Sequence, residues 1–450
     1  MSRHGAAGHK TDGHGKVSRL NSGSCSGAIT GTTERAGLAG SGGPAAWLLA
    51  PAKCRRKRKL ATFCAALGFA LPLLAQTTRV YPEGNSWVEE TSGTLPDARE
   101  LRITTDLGSI DVRGKARGIS YVFRKRAYTA TKEQALRQFQ IMKLTATRVG
   151  AQALVDGRMA RHDVTNVSAE ISLQVPSDLK KALLETGGGS LTLRSIGGAV
   201  AGRTGGGAIK LEDIAGPVSV STGGGDVVAG SLGSDATIKA GGGSIRVDHI
   251  LGTGKISTGG GNVSIGSANG LLVNNGAGNI DVKRCNGDLQ VSTGGGRVTL
   301  GPVMGTVKVE AGAGSVRLAG AAGRVQVTTG GGGVELFQVA QGAQVDTGSG
   351  AVTVEFTSTP GSFTDSSLHT AAGDVLVFLP ANLALTVHAS SDMAPGYGIR
   401  SEFDGLHISK QSGGYGPQSM WAEGALNGGG PSLRVRTGMG HIDFRSLQSH

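Results

Sequence analysis

Between residues 187 and 356 the apolar positions of this chain fall in one repeating register. Glycine triplets (G-x-G, most often GGG) begin at Gly187, Gly205, Gly223, Gly241, Gly259, Gly276, Gly294, Gly312, Gly330 and Gly348. Every interval is 18 residues except one of 17, between Gly259 and Gly276. Counted from the first glycine, position +4 is Leu, Ile or Val in all ten repeats, from Leu191 to Val352, and +6 is apolar throughout. Position +9 continues with Ile196, Ile214, Leu232, Ile250 and Val303, and +13 and +15 are mostly Val, Ile or Leu, as at Val218 with Val220. Alternation at period two, twice per repeat and bounded by glycine, predicts two short strands and two corners. Two strands and two corners per 18 residues make one coil of a solenoid. Each strand is then expected to pair in parallel with its equivalent one coil away, about 4.8 Å distant.

The fold class expected is therefore all-β: a parallel β-solenoid, or β-helix, with 18-residue coils, a short helix-containing N-terminal cap and a loop-rich C-terminal cap. Glycine suits the corners because stacked corners bring equivalent backbones close together and favour φ > 0. A threonine usually precedes the triplet (Thr186, Thr204, Thr222, Thr258, Thr293, Thr329 and Thr347), which predicts a ladder of stacked hydroxyls beside the corner. No single coil can stand alone, so stability is a property of the stack. Its open ends need covering, because an exposed strand edge is a template for aggregation. Leu101–Val112 reads as an early coil. A helix is expected after it, with Thr131 and Gln134 as a capping box and Ala135, Leu136, Phe139 and Met142 on one face. Thr370–Leu379 and Arg436–Phe444 resume the coil pattern, with an insertion over 390–432 between them.

The remaining organisation follows from composition. Residues 1–52 are Gly/Ser/His-rich and aperiodic, which reads as a disordered stretch or an over-extended gene start. At 53–75, KCRRKRK is followed by LATFCAALGFALPLLA, the basic-then-apolar pattern of a secretory signal peptide, with cleavage expected after Ala75. The apolar run is short for a bilayer span and is broken by Pro72, so a membrane is expected as a partner only through an uncleaved leader. Residues 76–185 form the N-terminal cap and first coils, 186–356 the ten regular repeats, and 357–450 the last coils and cap. An exported address is expected: periplasm, cell surface or secreted. The formal charge of +12 belongs mostly to the leader, since 11 of its residues are Lys or Arg and 2 are acidic; the 34 basic and 31 acidic residues beyond leave +3. That balance argues against a nucleic-acid partner. Cys285 is the only cysteine past the leader, so the exported protein holds no internal disulfide, and its +9 register predicts a buried small hydrophobe rather than a reactive thiol.

The pattern T-x-G-G-x-Φ-x-Φ, the strand-ending LQVP at Leu173–Pro176 and its echo VFLP at Val377–Pro380 resemble the bacterial putative-adhesin β-helix family, a domain of unknown function, over about residues 98–446. The resemblance implies an exported, envelope-associated solenoid and no catalytic residues.

Several chemistries were weighed on the residues. No nucleotide partner is expected: the nearest match to a Walker loop, Gly252-Thr253-Gly254-Lys255-Ile256, lacks the leading glycine and the hydroxyl after lysine. A calcium roll needs aspartate recurring after the glycines, whereas +3 offers Asp226 alone among the ten, so no metal site is expected. A polysaccharide-acting enzyme would align carboxylates on one face. Glu212, Asp248, Asp281, Glu335 and Glu355 do point outward, but Arg194, Lys210, Arg246, Lys283 and Arg317 are interleaved with them, as on a solvated face. No catalytic residue and no cofactor is therefore expected. The functional expectation is a non-enzymatic scaffold that meets a cell-envelope or surface component, protein or glycan. A polysaccharide-acting enzyme and a periplasmic envelope-stress sensor are the alternatives. Aromatic rings are scarce on the shaft and gather in the C-terminal insertion, at Tyr397, Phe403, Tyr415 and Trp421. They either cap the core or form a site, and Tyr397, Tyr415 and Trp421 are the candidate ligand-binding residues.

Overall fold

The computed structural model describes residues 76–447 apart from 116, 161–165, 395, 397 and 412–417, so the leader lies outside the described residues. Over the regular repeats each coil contributes two strands, as in Leu191–Ile196 followed by Ala199–Thr204. Successive coils pair in parallel with an offset of one repeat. Leu191 faces Ile209, Leu193 faces Leu211 and Ile196 faces Ile214 on the first face; Val200 faces Val218 and Thr204 faces Thr222 on the second. Every inward residue thus stacks on its own equivalent, and the +4, +6, +9, +13 and +15 positions form one continuous core. Cys285 sits in that core with no exposed surface. Its thiol donates to the Gly287 carbonyl at 3.3 Å, and burial pushes its pKa up. The single 17-residue repeat lost its residue at the second corner. There the pairing slips between Ile250 and Thr253, after which Gly254 faces Leu271.

The corners explain the glycines more narrowly than the sequence suggests. A methyl group on the third glycine, as at Gly207 or Gly225, would collide with the backbone of the corresponding glycine one rung back, and the first glycine is similarly crowded. At the middle glycine, as at Gly188, Gly206 and Gly224, it would meet nothing within 4 Å. Positive φ at the third glycine begins only at Gly278 (107°) among the ten repeats, so close approach is the general requirement and left-handed backbone a local one.

The buried threonines do not form a hydroxyl-to-hydroxyl ladder. Each bridges backbone instead. Thr204 Oγ1 donates to the Gly189 carbonyl of the previous rung at 2.7 Å and accepts the amide of Gly207 in its own corner at 3.1 Å. Thr222 and Thr258 repeat both bonds, whereas Thr293 and Thr329 donate within their own corners. Asn275 takes the same place with its amide, donating to Gly261 and Gly278.

At both ends the order in space departs from the order in sequence. The coil made by Glu100–Thr105 and Ser109–Gly114 is not the outermost. Glu100–Thr105 lies between Gln152–Met159 and Lys181–Thr186, and Ser109–Gly114 lies between Val167–Val175 and Leu191–Ile196, all in parallel. At the other end Ser432–Met439 lies between Ser366–Ala372 and Leu385–Ala394, while Ile442–Leu447 lies between Val375–Pro380 and Ile399–Ser401. The threonine staple follows the spatial order: Thr437 donates to Gly373 at 2.8 Å, and Ser391 donates to Gly440 at 3.0 Å. Asp365 Oδ1 takes the Ser432 amide and Asp374 Oδ1 that of His441, each at 2.8 Å.

Antiparallel strands finish each end. The hairpin Thr77–Glu83 with Ser86–Leu95 continues into Ile119–Ala127. On it the nearly buried Glu90 receives Arg79 at 2.6 Å, Arg124 at 2.9 Å and Tyr81 at 3.2 Å. The helix Lys132–Phe139 is capped by Thr131, whose side chain accepts the Gln134 amide. Ala135 and Phe139 are buried beneath it, but Leu136 is 39% exposed and Met142 belongs to the next strand, so the buried stripe is narrower than the sequence suggests. The span 390–432, expected to be rich in loops, instead carries strands at Ile399–Ser401, which pairs in parallel with Ile442–Leu447, and at His407–Lys410 and Gln418–Leu426, which pair antiparallel with each other.

Candidate functional site

The second face ends in a sheet whose outward side chains form two rows across the strands. Gln418–Leu426 runs antiparallel to Leu385–Ala394, placing Trp421 opposite Ser390 and Glu423 opposite His388. His407–Lys410 pairs on its other side, with Ser409 opposite Trp421 and His407 opposite Glu423. Inward from Leu385–Ala394, Ser390 faces Arg436 and His388 faces Arg434; His369 then faces Arg436, and Asp346 faces His369. One row therefore reads Asp346, His369, Arg436, Ser390, Trp421, Ser409, and its neighbour reads Gln344, Ser367, Arg434, His388, Glu423, His407. Adjacent members stand about 4.8 Å apart, the strand spacing.

Strand alternation divides the aromatic cluster into two roles. Met420 and Phe403 pack on the core, and Ala422 is fully buried, while Trp421 faces outward with 42% of its surface exposed. Serine on the rung to either side leaves the indole uncrowded, and it has no hydrogen-bond or ring partner among the described residues. Of the three candidate residues, the structure places Trp421 on this face. Tyr397 and Tyr415 lie outside the described residues.

Polar side chains on the face contact one another. His369 Nδ1 stands 3.0 Å from Asp346 and His388 Nδ1 3.5 Å from Glu423. Arg436 donates to Asp392 at 2.8 Å, and that hydrogen bond holds the guanidinium pKa above its ordinary value. The Asp365 carboxyl beside Arg434 is held below the ordinary range, chiefly by the Ser432 amide and hydroxyl.

The other sequence candidates resolve into structural roles. Glu212 lies between Arg194 at 2.9 Å and Lys210 at 2.7 Å, and Glu335 meets Arg317 at 2.8 Å. None of the five outward carboxylates has another directly opposite it on a neighbouring rung. At +3, Asp226 accepts the Ser244 amide at 2.8 Å and Asn279 that of Arg297 at 3.0 Å, so these oxygens join rungs along the stack. Thr253 and Lys255 lie within a strand rather than at a strand-to-helix turn.

The comparisons with known proteins agree with this architecture. Residues 255–396 match the family described as Toastrack DUF4097. The match covers about a third of the chain. Its matched part spans the later regular coils and the start of the C-terminal end, and the same solenoid continues on both sides of it. Solved structures that this chain resembles include a putative cell adhesion protein from Clostridium sporogenes, 8% identical, covering 80% of this chain and 100% of that one at a TM-score of 0.16. A putative adhesin from Parabacteroides distasonis is 9% identical over 64% of this chain and 94% of its own, with a TM-score of 0.26. A putative lipid binding protein from the same organism is 12% identical over 66% and 97%, with a TM-score of 0.21. Likenesses this distant carry no functional argument. No curated protein matches the sequence.

The histidines and arginines of the two rows were not singled out by the sequence. They sit on the outward positions of resumed coils, a signal that was present. Their convergence was hidden, because nothing in the sequence says that 432–439 inserts between 366–372 and 385–394.

Proposed function

We propose that the protein is an exported, non-enzymatic scaffold of adhesin-like type, whose solenoid holds the Trp421 face ready for a component of a cell envelope or surface. The observation that carries this reading is the exposed Trp421 on the outward face of the sheet at one end of the stack. Exposed tryptophan is a typical centre of recognition surfaces. The shaft's carboxylates support a non-catalytic role, because opposite charges occupy Glu212 and Glu335 and none of the five has another acid directly opposite it on a neighbouring rung.

Two measurements test it. Full-chain protein is expected to sediment with isolated bacterial envelopes, and Trp421→Ala to lose most of that binding while keeping its thermal midpoint. Retention of wild-type binding by the variant would remove Trp421 from the interaction. For export, protein recovered from a bacterial host is expected in the periplasm or medium with Gln76 as its first residue; an intact N-terminus in the cytoplasm would count against it.

A further inference from the structure

We infer that the occupant of the Trp421 face is a neutral, extended polysaccharide lying along the row from His369 to Ser409; this rests on the reading of that face as the binding surface. Three features of the face specify such an occupant.

The first is its shape. Trp421 stands on the outward face of its strand between the short side chains of Ser390 and Ser409, with 42% of its surface exposed. A small ligand needs a cleft that buries most of its surface. A linear polymer gathers weak contacts rung by rung on a flat face. The row runs across six strands from Asp346 to Ser409, a track of about 24 Å at the strand spacing.

The second is the kind of side chain. A tryptophan ring offers an apolar plane and one N–H, which suits the C–H face of a pyranose with hydroxyls at its rim. Serines flank the ring on the neighbouring strands, the Glu423 carboxylate stands two residues along its own strand, and the Arg436 guanidinium lies one rung beyond Ser390. Those groups bridge adjacent hydroxyls with paired hydrogen bonds. The core of a protein-binding patch is instead depleted of charge, and here charged groups border the aromatic directly.

The third is charge. Asp346 is paired with His369, Glu423 with His388 and Asp392 with Arg436, at 3.0, 3.5 and 2.8 Å. The two rows and Asp392 set three carboxylates (Asp346, Asp392 and Glu423) against two guanidinium groups (Arg434 and Arg436), so an acidic polymer finds no excess of positive charge there. Hydroxyl groups donate to the carboxylates and accept from the cations without separating either pair. The face therefore favours an uncharged chain.

The experiment follows intrinsic tryptophan fluorescence of the full-chain protein during titration with cellohexaose, chitohexaose and polygalacturonate, beside envelope sedimentation. At least one neutral hexasaccharide is expected to shift the emission saturably, with polygalacturonate weaker. Trp421→Ala is expected to weaken binding on the order of tenfold and Trp421→Phe less, with Asp392→Asn lowering affinity at unchanged thermal midpoint. Periodate oxidation of the envelopes should abolish sedimentation and protease treatment should not. Loss on protease treatment but not on oxidation would overturn the polysaccharide while leaving the Trp421 surface standing. Preference for polygalacturonate would overturn the neutral assignment. Wild-type sedimentation by Trp421→Ala would overturn both the inference and the reading beneath it.

Discussion

Thr204 reaches back fifteen residues to donate its hydroxyl to the carbonyl of Gly189, one rung away, at 2.7 Å. The same oxygen accepts the Gly207 amide, so one short side chain satisfies backbone groups on two successive corners. Thr204→Val keeps the shape and removes both bonds. It is expected to lower stability by about 1–3 kcal/mol, the cost of leaving buried polar groups unmatched, with Thr204→Ser close to wild type. Ala240 and Ala311 occupy the same register without a hydroxyl, so Ala240→Thr is expected to stabilise by about 0.5–1.5 kcal/mol. Urea unfolding midpoints measure all three.

Two adjacent glycines are expected to behave oppositely. A methyl group at Gly207 would strike the backbone of Gly189, whereas one at Gly206 would enter open space. Gly207→Ala should cost about 1–3 kcal/mol or more through forced backbone shifts, and Gly206→Ala should stay within about 0.5 kcal/mol. The chain itself places Ala277, Ala313 and Ser349 at the middle position. Equal losses in the two variants would refute close approach as the reason for the third glycine.

Glu90 links stability to pH. Burial pushes its carboxyl up, but hydrogen bonds from Arg124, Arg79 and Tyr81 outweigh burial and hold it below the ordinary carboxylate value. A group lowered on folding stabilises above its unfolded pKa of about 4.3, and that stabilisation is lost as pH falls through the lower folded value. The thermal midpoint of Glu90→Gln should therefore lie well below wild type at pH 7, with the gap narrowing as the pH falls below about 4. A gap constant from pH 7 to pH 3 would exclude ionisation as its source.

Removing residues 432–447 should do more than shorten the sheet. Those strands separate Ser366–Ala372 from Leu385–Ala394, and Asp365 and Asp374 are aimed at their amides. Truncation after Gly430 is expected to raise hydrogen exchange across 385–426 to that of unfolded chain, while 187–347 stays protected. Retained protection over 385–394 would show that the end rung docks without its neighbour.

The coil register was legible because glycine spacing and period-two alternation specify strand faces locally, down to Cys285 in the core and the capping of the helix by Thr131. The partner of each threonine hydroxyl is not legible in the sequence, because it depends on distances between rungs, and the carbonyl of Gly189 comes within 2.7 Å of Thr204. Trp421 could be singled out by composition alone. Its neighbours Arg436 and His369 could not, because their adjacency depends on the order of rungs, and a pattern common to every coil does not encode which coil lies beside which.

That order has a mechanical meaning. If the solenoid were simply wound, tension at either end of the chain would peel off the outermost turn, breaking one line of hydrogen bonds at a time. Here the strands nearest both ends of the solenoid are tucked beneath a later or earlier turn, as a whipped rope traps its own tail. A pull on Leu447 meets Val375–Pro380 along the whole of Ile442–Leu447 and Ile399–Ser401 along its first three residues, so over that stretch two lines of bonds carry the load together in shear. The solenoid resists tension where a molecule tethered at its end would receive it.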